Sequence, residues 1–377
     1  MNLAFRDIRH KLGRFVLTCL GLSLLLGVVV TMAGIYRGLV ADALVLPRSV
    51  QADIWVVQGD TTGPFGESSR IPGGTREMIA RIDGIVAAGS FTSQTVQTKH
   101  NGRLLRLQIV GFEPGRFGEP VNLVAGRSIT RSHYELIADR KTGLAIGDRL
   151  ELGRDVYTVV GLTQGLTNFS GDSVVYVTLQ DAQELQFDLM PPEARREAAR
   201  GAERANTDIV NAVVARISPN IPVEAVAGVV RRWKHLSVLS EAEQEAVLTI
   251  TVIEHARHQL GLFMAVLSVV SAVIIALIVY TLTMEKLREI ATLKLIGMPD
   301  RTIIGMIVQQ ALLMGVVGFL AGTALVAAVK DWFPRRVVME PADLGMLFGV
   351  VVVVCLLASI VAVRAAVRVD PARALAG

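Results

Sequence analysis

Residues 259–284 read QLGLFMAVLSVVSAVIIALIVYTLTM, an apolar run without one charged side chain. As a helix rising about 1.5 Å per residue, it spans the ~30 Å hydrocarbon layer of a bilayer. Three more stretches share this character: Phe15–Tyr36, Thr302–Val329 and Gly345–Val363. One such block would fit inside a soluble core, but four exceed what an aqueous domain buries. The bulk composition agrees, with 51% hydrophobic residues and a mean hydropathy of +0.48. The chain therefore reads as an α-helical membrane protein with four transmembrane helices, at 15–37, 257–284, 302–329 and 344–366.

Between the first two helices, residues 38–256 are soluble in character and mixed in pattern, and are expected to form an extracytoplasmic α+β domain. Ala52–Gln58 and Ser173–Thr178 have strand composition. Asn101-Gly102, between two alternating runs, is a strong hairpin signal because both turn residues tolerate positive φ. A second hairpin is expected in Asp148–Leu162, a strand at Asp208–Ile217 and a helix at Pro222–Trp233. Gly59–Gly74 reads as a loop, and Met190–Asn206 as an exposed helix or insert. Glu241–His258 lacks Gly and Pro and runs straight into the apolar block, so a continuous stalk helix is the simplest expectation. The remaining parts are an amphipathic lead-in at 1–14, a charged segment at 285–301, a short external loop at 330–343 and a tail at 367–377.

Basic residues set the orientation, because cytoplasmic flanks retain Lys and Arg. The lead-in (Arg6, Arg9, Lys11, Arg14), the 285–301 segment (Lys286, Arg288, Lys294, Arg301) and the tail (Arg364, Arg368, Arg373) face only Asp7, Glu285, Glu289, Asp300 and Asp370. That side carries +6 while the whole chain carries +4, so the remainder is −2. Both termini are thus expected inside, and the basic pI is a topology signal that gives no support to nucleic-acid binding. The apolar core of the first block is too long for a signal h-region and no small-residue cleavage site closes it, so it is expected to stay as an anchor. Both cysteines, Cys19 and Cys355, fall in apolar blocks, leaving the domain without disulfides or a Cys-based metal site.

Small residues recur at helical spacing in the membrane blocks: Gly34 and Gly38; Ala311 and Gly315; Gly318 and Gly322; Ala358, Ala362 and Ala366. Such stripes let helix backbones approach closely, and Gly34, Gly38, Gly315, Gly318, Gly322, Ala358 and Ala362 are the expected packing positions. No charge sits mid-membrane, which disfavours a proton or ion relay. Gln309 and Gln310 are the strongly polar exceptions, more in keeping with a helix–helix hydrogen bond than with a substrate contact. No G-x-x-x-x-G-K-[ST] phosphate loop, G-x-G-x-x-G or H-E-x-x-H occurs. No catalytic, metal or cofactor residues are assigned, and the chain alone is expected to be non-enzymatic. His255 and His258 share a helix face near the outer surface, a pair more often solvated than ligating.

Residues 280–304, YTLTMEKLREIATLKLIGMPDRTII, leave the membrane, become charged, turn at Gly297-Met298-Pro299 and re-enter. Glu289, Ile290, Leu293, Lys294 and Gly297 resemble the coupling segment of MacB- and FtsX-type ABC transporter permeases, and Val369-Asp370-Pro371-Ala372-Arg373-Ala374-Leu375 is similar to the terminal signature of that family. The layout of one helix, a large domain and three helices resembles it too, as does the Gly147-Asp148 and VYTVVGL pattern within Leu144–Leu162. Without a fused ATPase, the chain looks most like the DevC branch.

The resemblance implies a bacterial inner-membrane homodimer working with a separate cytoplasmic ABC ATPase, which would grip Glu285, Arg288, Glu289, Ile290, Leu293, Lys294 and Gly297. It further implies mechanotransmission to the external domain, with efflux of a lipid, glycolipid, haem or drug-like substrate. A membrane-fusion adaptor and an outer-membrane channel would be further partners, beside membrane lipid. An FtsX-like signalling permease, activating a periplasmic hydrolase without transport, is the alternative.

Overall fold

The computed structural model describes residues 12–168, 170–189, 193, 208–250, 254–285, 291–292, 296, 298–333 and 335–367. In chain order the elements are α1 (Leu12–Val50), β1 (Ile54–Gln58), β2 (Ile71–Pro72), α2 (Thr75–Ala80), β3 (Ile85–His100), β4 (Arg103–Phe112), β5 (Leu123–Gly126), β6 (Glu135–Asp139), β7 (Arg149–Leu152), β8 (Asp155–Thr163), β9 (Ser173–Thr178), α3 (Leu179–Asp188), β10 (Ile209–Val210), β11 (Ala212–Ile217), α4 (Val223–Val230), β12 (Leu236–Ser240), α5 (Glu241–Leu248), α6 (Glu254–Glu285), α7 (Asp300–Val329) and α8 (Pro341–Val367). They form two compact units, one of residues 1–38 and 256–377 and one of residues 39–255.

Four helices are long and apolar enough to cross a membrane, over Val16–Val50, His258–Glu285, Asp300–Trp332 and Pro341–Arg364; residues 39–50 of the first are counted with the second unit. The rest of these four helices belongs to the first unit. Its core draws Leu22, Leu26, Ile275, Ile307, Met314 and Cys355 from all four. Outward faces carry exposed Leu20, Leu24, Leu262, Val266, Val273, Leu320 and Leu357, as a bilayer solvent demands. Helix α1 continues through Val50, well past residue 37, because no helix breaker intervenes before Pro47, which falls in its last turn. Proline there removes the N–H that the Ala43 carbonyl would otherwise accept.

The second unit is an α+β domain built on a ten-stranded sheet in the order β12-β1-β11-β3-β4-β9-β6-β8-β5, with β7 beside β8. The long β3 joins two halves: Ile85–Phe91 pairs with β11 and Thr92–His100 with β4, both antiparallel. The pairs β4–β9 and β6–β8 run parallel. Strand β1 is apolar at successive positions because both its faces are covered. Ile54 and Val56 pack with Ile79, Val226 and Val230. Trp55 and Val57 pack with Leu46 and Val50 of α1, and with Phe91 and Phe112. Trp55 meets Phe65 and Phe91 edge-on at 5.3 and 5.2 Å, and truncating it to Ala would cost roughly 3–5 kcal/mol.

Both expected hairpins are present. Asn101 and Gly102 turn with φ of 48° and 76°, and Leu152 pairs with Asp155 across the second turn. The strand expected over Asp208–Ile217 is split at Asn211, whose side chain accepts from the Ser93 amide and donates to the Ser69 carbonyl. The insert at 190–206, apart from Glu193, lies outside the described residues. So do residues 251–253, on which the continuous stalk depends: α5 ends at Leu248 and α6 begins at Glu254.

Candidate functional site: coupling segment, helix contacts and domain clefts

Helix α6 ends at Glu285, which is exposed. Arg288, Glu289, Ile290, Leu293, Lys294 and Gly297 lie outside the described residues, so the geometry of the coupling segment is visible only at its margins. Ala291 is fully buried, whereas Ile296 is 79% exposed, with its amide bonded to the Thr292 carbonyl at 3.1 Å. Pro299, in extended conformation, then caps α7 and fixes where the chain becomes helical again. Ile296 was not singled out from the sequence. The available signal was an isoleucine directly before the Gly297-Met298-Pro299 turn.

The small residues fall into two groups. A Cβ at Gly315 would collide with Cys355 Sγ, and one at Gly318 would stand 3.3 Å from Leu22 Cβ. At Gly322 a Cβ would lie 2.6 Å from the Ser23 carbonyl oxygen, so α1 and α8 both pack against the glycines of α7. Ala358 and Ala362 are buried in the same core. Gly34 and Gly38 sit differently. Their close neighbours are Val337 and the Arg336 carbonyl in the α7–α8 connection, and not another helix. The Val338 amide donates to the Gly34 carbonyl at 3.0 Å, so bare backbone is needed for that segment to cross. Arg37 completes the crossing, donating to Asp343 at 2.7 Å and lying 3.3 Å from Glu340. Gln309 is exposed and Gln310 half-buried; His258 is exposed.

In the domain, Arg48 near the end of α1 donates both Nε and Nη2 to Glu245 of α5, at 2.5 and 2.9 Å. That hydrogen bond holds the Glu245 carboxyl below its ordinary range. Helix α5 itself starts with a reciprocal cap, Ser240 and Glu243 each bonding the other's backbone amide. Beside these elements lies an uncharged cleft of about 190 Å³, walled by Ala43, Leu46, Pro47, Pro64, Phe65 and Leu248 and floored by Ser93, Gln94, Thr95, Gln108 and Asn168. The floor is a hydrogen-bonded network: Gln108 donates to Ser93 at 2.6 Å and accepts from Thr95 and Asn168. A larger open groove of about 950 Å³ runs along α3, with Glu113, Asp155, Tyr157, Glu184, Asp188 and Asp208 among its lining residues and Arg131 and Arg154 as its basic members.

Two family models match the chain: the MacB-like periplasmic core domain over residues 15–233 and the FtsX-like permease C-terminal over residues 261–371. An uncharacterized ABC transporter permease of Mycobacterium tuberculosis is 24% identical over 374 residues, covering 99% of each chain. A putative hemin transport system permease protein, HrtB of Staphylococcus haemolyticus, is 20% identical over 100% of this chain and 99% of its own. Among solved structures, the periplasmic region of MacB from Actinobacillus actinomycetemcomitans aligns with a TM-score of 0.36 at 10% identity, over 50% of this chain and 88% of that one.

Proposed function

This chain belongs to the MacB/FtsX-type ABC transporter permeases, and we propose that it converts ATP hydrolysis by a separate cytoplasmic subunit into movement of an extracytoplasmic domain inserted between its first two membrane helices. A permease of this class is a multi-pass membrane subunit that works with a partnering ATPase. In our reading two copies pair, both termini face the cytoplasm, and the ATPase grips the 285–298 segment. The cargo expelled is hydrophobic or amphipathic, a class that includes lipid, glycolipid, haem and drug-like molecules.

One observation carries the proposal. Helix α1 is a single 39-residue helix, about 58 Å long, whose last turns are built into the domain core through Leu46 and Val50. It ends on the doubly hydrogen-bonded Arg48–Glu245 pair, which ties it to α5, the element that precedes the second membrane helix in sequence. A helix anchored in the domain core this way would carry displacement into the domain. The named hemin permease among the relatives makes haem a sensible first candidate. An adaptor and an outer-membrane channel would complete the route in a double-membrane cell.

The test is reconstitution of the permease with its ATPase subunit in proteoliposomes. Amphipathic candidates, haem included, are expected to raise ATP turnover at least several-fold. Turnover that ignores every such compound and responds only to a periplasmic hydrolase would overturn export in favour of signalling.

A further inference from the structure

We propose that the domain holds a site for a zinc-class divalent transition metal, formed by His133, Asp181 and Glu184, of which Glu184 lines the large groove. The three side chains bring ligand atoms within 4.8 Å of one another. Metal–ligand bonds of about 2.0–2.2 Å let one ion reach donors across roughly that span, after small side-chain shifts.

Each ligand comes from a firm support. Thr178 caps α3 by accepting from the Asp181 amide at 3.2 Å, which fixes the first turn of the helix. The Asp181 carboxylate is fully buried, with Oδ1 2.6 Å from His133 Nδ1 and Oδ2 accepting the Tyr134 amide at 3.1 Å. Glu184 follows one turn later, exposed and lining the groove. Its spacing from Asp181 puts both carboxylates on one helix face. His133 sits in the β5–β6 connection, which Glu135 ties down by accepting from Arg127 at 2.6 and 2.9 Å and from the Thr130 and Arg131 amides. Tyr134 is held at φ 64° between them, a costly conformation for a non-glycine residue. The imidazole is therefore positioned before any ligand arrives, as a metal site requires.

The donor set selects the ion. One imidazole and two carboxylates, without a thiolate, exclude a soft monovalent copper site. The nitrogen donor favours zinc-class ions over magnesium or calcium, which prefer all-oxygen shells. Two carboxylates offset the charge of a dication. With Nδ1 as the ligand atom the ring proton resides on Nε2, so a neutral imidazole binds the cation in place of its contact with Asp181, without net proton release. Water would fill the remaining coordination positions. The proposal concerns the domain alone and stands whether or not the transport reading holds.

Isothermal titration of the chelator-treated full chain in nanodiscs with ZnCl2 and with MgCl2 tests it. One Zn2+ per chain is expected to bind saturably, with no comparable uptake of Mg2+. His133→Ala and Glu184→Gln should each weaken the affinity at least tenfold, and His255→Ala with His258→Ala should not. Glu184 is exposed, so its variant decides the question if His133→Ala misfolds. Absence of saturable uptake, or uptake that survives Glu184→Gln, or uptake lost with His255 and His258, would overturn the site.

Discussion

Gly322 and Gly27 meet backbone against backbone: a Cβ at Gly322 would stand 3.0 Å from the Gly27 nitrogen, and one at Gly27 would stand 3.5 Å from the Gly322 carbonyl oxygen. Without a hydrophobic drive between helices in lipid, such close contacts carry the association of α1 with α7. Gly322→Val is expected to destabilise the membrane unit by roughly 1–3 kcal/mol. Gly305, in the same helix, is exposed, and a Cβ there would meet nothing within 4 Å. Gly305→Ala should therefore be neutral or stabilising by up to about 1 kcal/mol. Thermal unfolding of the two variants in one detergent reads the contrast; equal losses would refute the contact.

The Arg48–Glu245 pair is half exposed on its arginine side, 59% against 26%, so its worth to stability is at most about 1 kcal/mol. Its value in our account is mechanical. Arg48→Glu should leave the unfolding temperature within a few degrees while uncoupling ATP turnover from transport, and the swap with Glu245→Arg should restore coupling. Reconstituted transport per ATP hydrolysed is the quantity to compare.

Glu135 gives the domain a defined acid response. The Arg127 hydrogen bonds, then those from the Thr130 and Arg131 amides, hold its carboxyl down at about 2, against an ordinary 4.5. A folded value below the unfolded one means that the stabilisation is complete above pH 4.5 and is lost as pH falls toward 2. Glu135→Gln should cost roughly 1–3 kcal/mol at pH 7 and much less near pH 2. Denaturant unfolding at both pH values checks this; a penalty independent of pH would contradict it.

The orientation is testable by thiol labelling in intact cells, with little background because Cys19 and Cys355 are buried. Asn101→Cys, at an exposed hairpin tip, should label without permeabilisation, and Lys294→Cys should not. The reverse pattern would invert the topology.

Local chemistry made part of this structure legible. Uncharged runs announced the four long helices, and Asn101-Gly102 announced its hairpin because the turn needs only its own two residues. The order of the sheet was not legible. The parallel pairings of β4 with β9 and β6 with β8 join segments far apart in sequence. Gly34 and Gly38 showed the spacing of a helix contact, but spacing does not say what approaches, and here it is the 336–338 segment. The break at Asn211 depends on partners at Ser69 and Ser93, and His133 meets Asp181 only through the fold. Helix α1 outran its apolar block because hydropathy marks where lipid would end, not where helical hydrogen bonding ends.

In the proposed docking of the ATPase, exposed Ile296 would add an apolar contact to the charged residues of the 285–298 segment. Ile296→Asp is expected to reduce binding of the ATPase subunit at least tenfold while leaving membrane insertion unchanged. Pull-down from detergent extracts measures it, and full retention would remove Ile296 from the contact.

The central claim, that residues 285–298 dock the ATPase rather than merely mark topology, is tested most directly by co-purification of that subunit with Glu289→Lys and Gly297→Val. A topology signal answers to the total of Lys and Arg, so Glu289→Lys would be harmless or reinforcing. A docking surface answers to complementarity, where a like-charge contact costs several kcal/mol. Gly297→Val would restrict the backbone at the turn expected from Gly297-Met298-Pro299. Both variants are expected to insert and pair normally yet lose the ATPase subunit; retention of the subunit and of transport-linked turnover at wild-type levels in both would rule out docking through this segment.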